Sequence, residues 1–543
     1  MKLLDYQIAH AQRIETAITK HSRAIDASET GTGKTYVSVH VCAKLNLIPF
    51  VICPKSVKNT WYTILTEAGY KKSEYYITNY EKLRTEKKFI NYDEETKQYS
   101  WNFTEQFQNY KHFLFIYDEA HRCKSIDSIN SQILSALSEQ DVKILLLSAT
   151  LTDRVEYFIP FGKVLLFYKS YAEGLVWLSE HNNSPVVLNK KIFNEYGSRM
   201  KISDTENIFK NNKIICNNLY IEKHHEIERK YNKIYQLMQE SKNKKQEKFN
   251  VNKETTKPID LTNINFNEEV DDTPVEQEKT SYLKNIMALR QDIELLKVNS
   301  ICELTKKYIA QNKSIVIFVN FTNTIQELKT KLKTNCVVWG LQKIEERNKA
   351  IDDFCSDVSR IIICNIKAGS EGLSLHDTKG VYPRVSLICP TWSAQDLLQA
   401  LGRIHRATGQ SDCIQEILYC KNTVEESMSA VIQQKINNIK LFNDGKINVK
   451  NDNLEVLLKN AYKKRMQEEE KKLFVFQTMD FDKIQDTIDN LEHKIYHKKK
   501  YLQRYNLPDS ERNKAQYELD VLLEEMKFYC SRLDILVEEQ IKT

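Results

Sequence analysis

"LFIYDEAHRCKS", Leu114 to Ser125, begins with an apolar run and then sets two acids, a histidine and two bases close together. A hydrophobic core has no use for adjacent carboxylates, and a solvated loop has no use for Leu-Phe-Ile. The stretch therefore predicts a buried strand whose end carries a site that needs negative charge.

Working outward, the same short apolar runs recur at "RAIDAS" (23–28), "PFVICP" (49–54) and "VKILLLS" (142–148), separated by helical patterns. They return at "SIVIFVNF" (314–321), "CVVWG" (336–340), "RIIICN" (360–365), "RVSLICP" (384–390) and "CIQEILYC" (413–420). Buried runs alternating with helices predict two separate α/β folds with parallel sheets. Residues 155–240 read as largely helical. Residues 241–281 are polar, charged and aperiodic, the composition of a disordered insert. After about 455 two apolar stripes at 4-3 spacing, Ile484 to Leu502 and Leu519 to Leu536, flank "NLPDSE" and predict a helical hairpin.

Composition sets the bounds. The 543 residues suffice for several domains, and the 41% hydrophobic fraction allows large cores. A net charge of +6 permits nucleic-acid binding without demanding it. Twelve scattered cysteines with no Cys-x-x-Cys pair predict reduced thiols and no zinc site. No run reaches the ~20 apolar residues of a membrane span and the start lacks a signal-peptide core, so an intracellular, soluble protein with no membrane partner is expected.

"SETGTGKT" (28–35) follows the first strand and opens a helix. Gly31 and Gly33 would let backbone N–H groups approach a phosphate, with Thr32 between them and the helix dipole behind. Lys34 would reach the β- and γ-phosphates and Thr35 would hold Mg²⁺. Asp118, at a strand end, would share that Mg²⁺, and Glu119 would activate the attacking water. His121 would link this site to a neighbouring segment, and Ser148 and Thr150 of "LSAT" (147–150) could hydrogen-bond across to the acid pair. In "QALGRIHRATGQ" (399–410), Gln399, Arg403 and Arg406 have the spacing of one helix face, from which the arginines could stabilise a transferring phosphate.

In this order "LLDYQ", "SETGTGKT", "VICPKSVKNTW", "ITNYEKLR", "DEAHRCKS", "LSAT", "GLQKIEERNKAIDDF", "KAGSEGLSL" and "QALGRIHRATGQ" resemble a superfamily 2 helicase, specifically its Swi/Snf-type branch. Trp61, "KAGSEGLSL" and the trailing "GQ" carry the Swi/Snf side. "SETGTGKT" in place of Met-Gly-Leu-Gly-Lys-Thr, and "LSAT" in place of Thr-Gly-Thr-Pro, point to divergent viral or phage members, including poxvirus-type nucleoside triphosphatases. The resemblance implies that Gln7 contacts adenine, supported by Tyr6. It implies a nucleic-acid track along Pro54, Lys55, Ser56 and Tyr80 in the first half, and Phe321, Thr322, Lys367, Ala368 and Gly369 in the second. Gly372 would help couple the lobes and border the ATP. Trp392 reads equally as a residue under the track or as core.

The expected fold is α/β, two RecA-like lobes with a helical insert and a C-terminal helical hairpin. The boundaries are 1–155 for the ATP-binding lobe, 156–298 for the insert with its disordered loop 241–281, 299–440 for the second lobe and 455–543 for the hairpin. The expected activity is ATP hydrolysis, with Mg²⁺, coupled to movement along nucleic acid, DNA in preference to RNA. An RNA helicase or transcript-release factor, and a non-enzymatic helicase-fold scaffold, are the alternatives. The hairpin would take a protein partner or a second nucleic-acid contact; a viral source would place the protein in host cytoplasm or virion.

Overall fold

A computed structural model of the chain describes residues 2–103, 110–205, 208–219, 274–340, 342–369, 373–420, 424–445 and 481–503, with single positions between 221 and 237 and between 512 and 526. In the first lobe the strands are β1 (Arg23–Asp26), β2 (Ile48–Cys53), β3 (Tyr76–Asn79), β4 (Ile90–Asp93), β5 (Gln98–Trp101), β6 (Phe113–Asp118), β7 (Lys143–Leu147) and β8 (Gly197–Ser198). Six of them form one sheet in the order β3-β2-β6-β7-β1-β8, with parallel neighbours throughout, while β4 and β5 make a separate antiparallel ribbon.

The sheet is buried on both faces because its central strands β2, β6 and β7 are apolar at consecutive positions, not at alternate ones. Phe113, Phe115 and Tyr117 of β6 pack into one core with Phe50, Ile52 and Ile144. Leu114 and Ile116 point the other way, into a second core with Val51, Leu145 and Trp61. Two-residue periodicity thus feeds two helical layers from one strand.

The second lobe repeats the plan. Its strands are β9 (Asn212–Leu219), β10 (Ser314–Val319), β11 (Val337–Val338), β12 (Ile361–Asn365), β13 (Arg384–Ile388) and β14 (Cys413–Cys420), in the order β11-β12-β10-β13-β14-β9. The pairs β11–β12, β12–β10, β10–β13 and β13–β14 are parallel. These are the two RecA-like lobes that the sequence led us to expect.

The region between them differs from its expected content. Helices Ile159–Val164, Tyr171–Glu180 and Pro185–Glu195 fit a helical insert, but the chain then gives an edge strand to each sheet, β8 to the first and β9 to the second. Both edge strands are too short or too polar to carry the apolar runs that betrayed the central ones: "GS" and "NKIICNNL". Helix Pro274–Leu296 starts inside the stretch read as disordered, so 274–281 are helical there; 241–273 lie outside the described residues.

Helix Val424–Asp444 leaves the second lobe and ends on the first. Phe442 enters the first core, its ring 5.5 Å from that of Phe158. Asn443 Nδ2 donates to Ala149 O at 2.9 Å, and Arg199 Nε donates to Asp444 Oδ1 at 2.9 Å. A second compact unit comprises 218–251, 420–429 and 458–543. Within it, helix Phe481–Leu502 buries Ile488, Leu491 and Ile495, and Lys498 pairs with Glu518. Of the second stripe of the expected hairpin, Leu519 is buried; Tyr529, Leu533, Leu536 and the turn at Pro508 lie outside the described residues. Among the described residues no helix is long and apolar enough to cross a membrane.

Candidate active site

The chain leaves β1 at Asp26 and turns back through 28–33 into helix Lys34–Lys44. The turn needs left-handed backbone at Gly31 (φ +87°) and at Gly33 (φ +97°), which caps the helix. Space is as tight as conformation. A Cβ on Gly33 would fall 2.2 Å from Gln7 Nε2, and one on Gly31 would fall 2.9 Å from Arg406 Cδ. Gln7 Nε2 and the Tyr6 hydroxyl both donate to Thr32 O at 2.9 Å. Gln7, read as an adenine contact, thus also holds the loop.

Ser28 stands where a glycine is usual in such a loop. Its hydroxyl accepts from Met200 N at 2.9 Å, and its N–H donates to Asp26 Oδ1 at 2.9 Å. Asp26 Oδ2 lies 3.0 Å from His10 Nε2, and His10 Nδ1 lies 2.8 Å from Ser198 Oγ. This buried Asp26–His10–Ser198 chain under the loop was missed in the sequence. Burial would raise the Asp26 carboxyl, but the His10 ring and Lys34 outweigh it and hold it below the usual range. His10 sits one turn beyond Gln7 on the same helix, a spacing that could have flagged it.

Lys34 donates to Ser28 O at 2.8 Å and Glu29 O at 3.3 Å. Burial lowers its pKa, opposed by the nearby charges of Asp26, Glu119 and Asp118. Asp118 ends β6, and Glu119 follows in the left-handed region (φ +56°), turning its carboxylate away from the strand. Burial first, and then the Glu119 charge, push Asp118 up to about 6. Burial would raise Glu119 too, but the hydrogen bond and charge of His121 bring it down to about 2. Trp61, which in the sequence served only as a family marker, donates from Nε1 to Asp118 Oδ2 at 2.9 Å.

His121 Nδ1 lies 3.3 Å from Glu119 Oε2 and 3.2 Å from Ser148 Oγ, so "LSAT" reaches the acid pair through His121. Thr150 makes no direct bond to the acids: its N–H donates to Ser148 Oγ at 3.3 Å, and its carbonyl accepts from Gln395 Nε2 at 2.6 Å.

The second lobe brings helix Ala394–Leu401 to this point, and Gln399 Nε2 donates to Glu119 Oε2 at 3.2 Å. The single helix face expected for Gln399, Arg403 and Arg406 is not what forms. The helix ends at Gly402, where a Cβ would strike Thr30 Oγ1 at 2.1 Å; Arg403 lies in the turn beyond and Arg406 past that turn. Arg403 is turned onto backbone, with Nε on Gln399 O and Nη1 on Leu373 O. Arg406 Nη2 donates to Leu373 O at 3.0 Å, while its buried Nε has no hydrogen-bond partner among the described residues. Burial, and then the like charge of Arg403, draw the Arg406 pKa down to about 9.

These groups suit a nucleoside triphosphate with a divalent ion. The loop has the closeness and left-handed turns a phosphate cradle needs, Arg406 carries an unsatisfied donor beside it, and Asp118 with the Thr35 hydroxyl offers the hard oxygen donors that Mg²⁺ takes.

The expected track is mixed. Lys55, Thr322 and Lys367 are exposed, and Ser56, Phe321 and Ala368 half-buried. Pro54 and Gly369 are buried. Tyr80 is a correction: at 1% exposure it packs against the first core, and its hydroxyl donates to Asp118 O at 2.8 Å. Its ring supports the acid loop and has no surface to offer a nucleic acid. Trp392 lines an interlobe cleft together with Phe321 and Lys367. Gly372 lies outside the described residues.

The chain is similar to known proteins over much of its length. Residues 1–153 match the family model described as type III restriction enzyme, res subunit, and residues 296–408 match the helicase conserved C-terminal domain. "Putative ATP-dependent RNA helicase L364" of Acanthamoeba polyphaga mimivirus is 30% identical over 490 residues, which are 82% of this chain and 84% of that protein. DNA repair protein RAD5 of Yarrowia lipolytica is 24% identical over 134 residues, 24% of this chain and 13% of that one. Among solved structures, the Sulfolobus solfataricus SWI2/SNF2 ATPase core in complex with dsDNA overlaps at TM-score 0.31 and 17% identity, covering 79% of this chain and 90% of that one. Saccharomyces cerevisiae Dbp5 bound to RNA and ADP BeF3 overlaps at TM-score 0.42 and 14% identity, covering 83% and 93%. The near-full-length mimivirus relative, with both helicase models matched in order, identifies the chain as an ATP-hydrolysing nucleic-acid helicase: it belongs to superfamily 2 and has a viral relative.

Proposed function

We propose that this helicase is a translocase on duplex DNA, driven by ATP hydrolysed between its lobes. The observation that carries the ATPase part of the reading is the contact of Gln399 with Glu119 beside the approach of Arg406 to Gly31, because one cleft then draws chemistry from both lobes; the choice of DNA rests on the Swi/Snf resemblance of "KAGSEGLSL" and the trailing "GQ".

In this reading ATP is the substrate, with its phosphates on the N–H groups of 31–35 and on Lys34. Gln7 borders the adenine. Thr35 and Asp118 would hold Mg²⁺, which when bound would neutralise phosphate charge. Glu119 accepts a proton from water as its oxygen bonds the γ-phosphorus and the bond to the β–γ bridging oxygen breaks. The low pKa that His121 gives Glu119 keeps it ionised for that role. Arg406, and Arg403 once turned from its carbonyls, face the charge that spreads over the γ-phosphoryl oxygens. Closing on ATP and opening after hydrolysis shift Lys55 and Ser56 relative to Phe321, Thr322, Lys367 and Ala368 along a backbone. Such contacts go to phosphate and sugar and read little sequence.

The name of the mimivirus relative supports a second reading, in which RNA is the track. ATPase rates with duplex DNA, single-stranded DNA and RNA of matched length separate the two. Duplex DNA stimulating most is expected; stimulation by RNA alone would overturn the DNA reading.

A further inference from the structure

Gln395 has no part in that mechanism, although it is buried between the lobes and bonded at both ends of its amide. Its Nε2 donates to Thr150 O at 2.6 Å, and its Oε1 accepts from Lys124 Nζ at 2.7 Å. Lys124 also pairs with Asp153 at 3.2 Å. One helical turn on, Gln399 makes its contact with Glu119. Residues four apart share a helix face, so helix Ala394–Leu401 meets the first lobe by two amide rungs.

The two rungs end in different places. Gln399 ends on the proposed general base. Gln395 ends on Lys124, which lines an interlobe cleft with Arg154, Lys367, Lys435, Phe321 and Trp392. With Arg290 and Tyr157 the cleft holds five bases and three aromatic rings against two carboxylates, Asp153 and Asp396, which suits a phosphate backbone with bases stacked beside it. From Gln395 the bonds run on through Thr150 and Ser148 to His121 and Glu119. One planar amide therefore joins a cation of the cleft to the loop that orients the base.

We infer that Gln395 is a positioning residue that carries the occupancy of this cleft by nucleic-acid phosphates to Glu119. The inference rests on the translocase reading. A phosphate in the cleft competes for Lys124, because a charge-assisted bond to an anion outweighs one to an amide oxygen. The amide then shifts with its helix, and Thr150, held by the other end, moves with it. Both ends are required, since an amide both donates and accepts, which neither a thioether nor a carboxylate does.

The test uses the full-length chain with two variants, Gln395→Met and Gln395→Glu. Methionine keeps the length and loses both bonds. Glutamate keeps the Lys124 bond and sets an acceptor against the Thr150 carbonyl. For each, basal ATPase, maximal stimulation by a duplex, the duplex concentration for half-stimulation and the melting temperature are measured. Both variants are expected to cut the stimulation ratio about ten-fold, an ordinary coupling between linked sites, while basal rate and half-stimulating concentration stay within about two-fold. Full stimulation in either variant overturns the inference. So does a basal rate that falls as far as the stimulated one, which marks a structural residue, or a basal rate that rises, which marks a latch. A shift confined to the half-stimulating concentration makes Gln395 a binding residue and overturns it too. If no nucleic acid stimulates the wild-type chain, the translocase reading falls and takes the relay with it.

Discussion

Arg406→Ala is the substitution whose effect can be worked furthest from the structure. The side chain is half-buried, its Cδ lies 2.9 Å from where a Cβ on Gly31 would be, and its buried Nε has no hydrogen-bond partner among the described residues. A cation drawn down to about 9 by burial and by Arg403 is poorly compensated in the nucleotide-free protein. Its removal therefore takes a strained charge out of the interior and is expected to leave the melting temperature unchanged or raised. Turnover should behave oppositely. An arginine that meets transition-state charge is worth about 10³–10⁵ in rate, which is roughly 4–7 kcal/mol at about 1.4 kcal/mol per decade. ATP affinity should change by less than about ten-fold, because ground-state binding rests on the loop and Lys34. Steady-state ATPase, titration with a fluorescent ATP analogue and thermal melting measure the three quantities. A variant that binds ATP normally and turns over within a few-fold of wild type refutes the role. Arg406→Lys separates charge from geometry: a lysine lacks the planar fork and should recover little of the rate.

Three further outcomes follow from single features. Gly33→Ala places a Cβ 2.2 Å from Gln7 Nε2 at a φ of +97°, so ATP affinity should fall at least about ten-fold, and equilibrium binding that matches wild type would sink the cradle assignment. His376 is buried, and burial, then Arg406 and Arg384, lower its pKa to about 4. An unfolded histidine titrates near 6.5, so the His376 contribution to stability is complete above that pH and is lost as pH falls toward 4, by roughly 1.4 kcal/mol per pH unit. Denaturant melts of wild type and His376→Gln should therefore differ in slope between pH 6.5 and 4, and parallel curves would refute it. Nucleic-acid affinity should fall steeply with salt and vary little with sequence; a curve flat from about 50 to 200 mM salt would contradict a backbone track.

What was legible in the sequence, and what was not, follows from how each signal is written. The central strands could be read because both faces are buried, which makes the runs at 113–117 and 315–319 continuously apolar. The edge strands β8 and β9 could not, because an edge needs no apolar run. Asp118 and Glu119 stood out because their charge follows directly on such a run, and Lys34 because it closes the glycine-bearing turn "SETGTGKT". Tyr80 misled because a tyrosine in a motif looks the same whether it faces solvent or a core. The helix expected through Arg403 and Arg406 failed at Gly402, where Thr30 of the opposite lobe approaches too closely for any side chain. Gln395 gave no signal of its own, since its partner Thr150 lies 245 residues away, and His10 gave only its spacing from Gln7, since Ser198 lies 188 residues away.

The return of Phe442 and Asp444 to the first lobe bears on how the chain is made. The strands of that lobe are complete once β8 has left the ribosome, yet Phe442, which helps fill their core, is synthesised only after the whole second lobe. At about 5–20 residues per second that interval is roughly ten to fifty seconds. Through it the nascent first lobe waits with an apolar gap beside Phe158 and with Arg199 lacking Asp444, while the second lobe grows from it as an insertion. The last strap to arrive closes both, so the ATP-binding lobe reaches its final form only after the lobe that supplies Arg406 has been built.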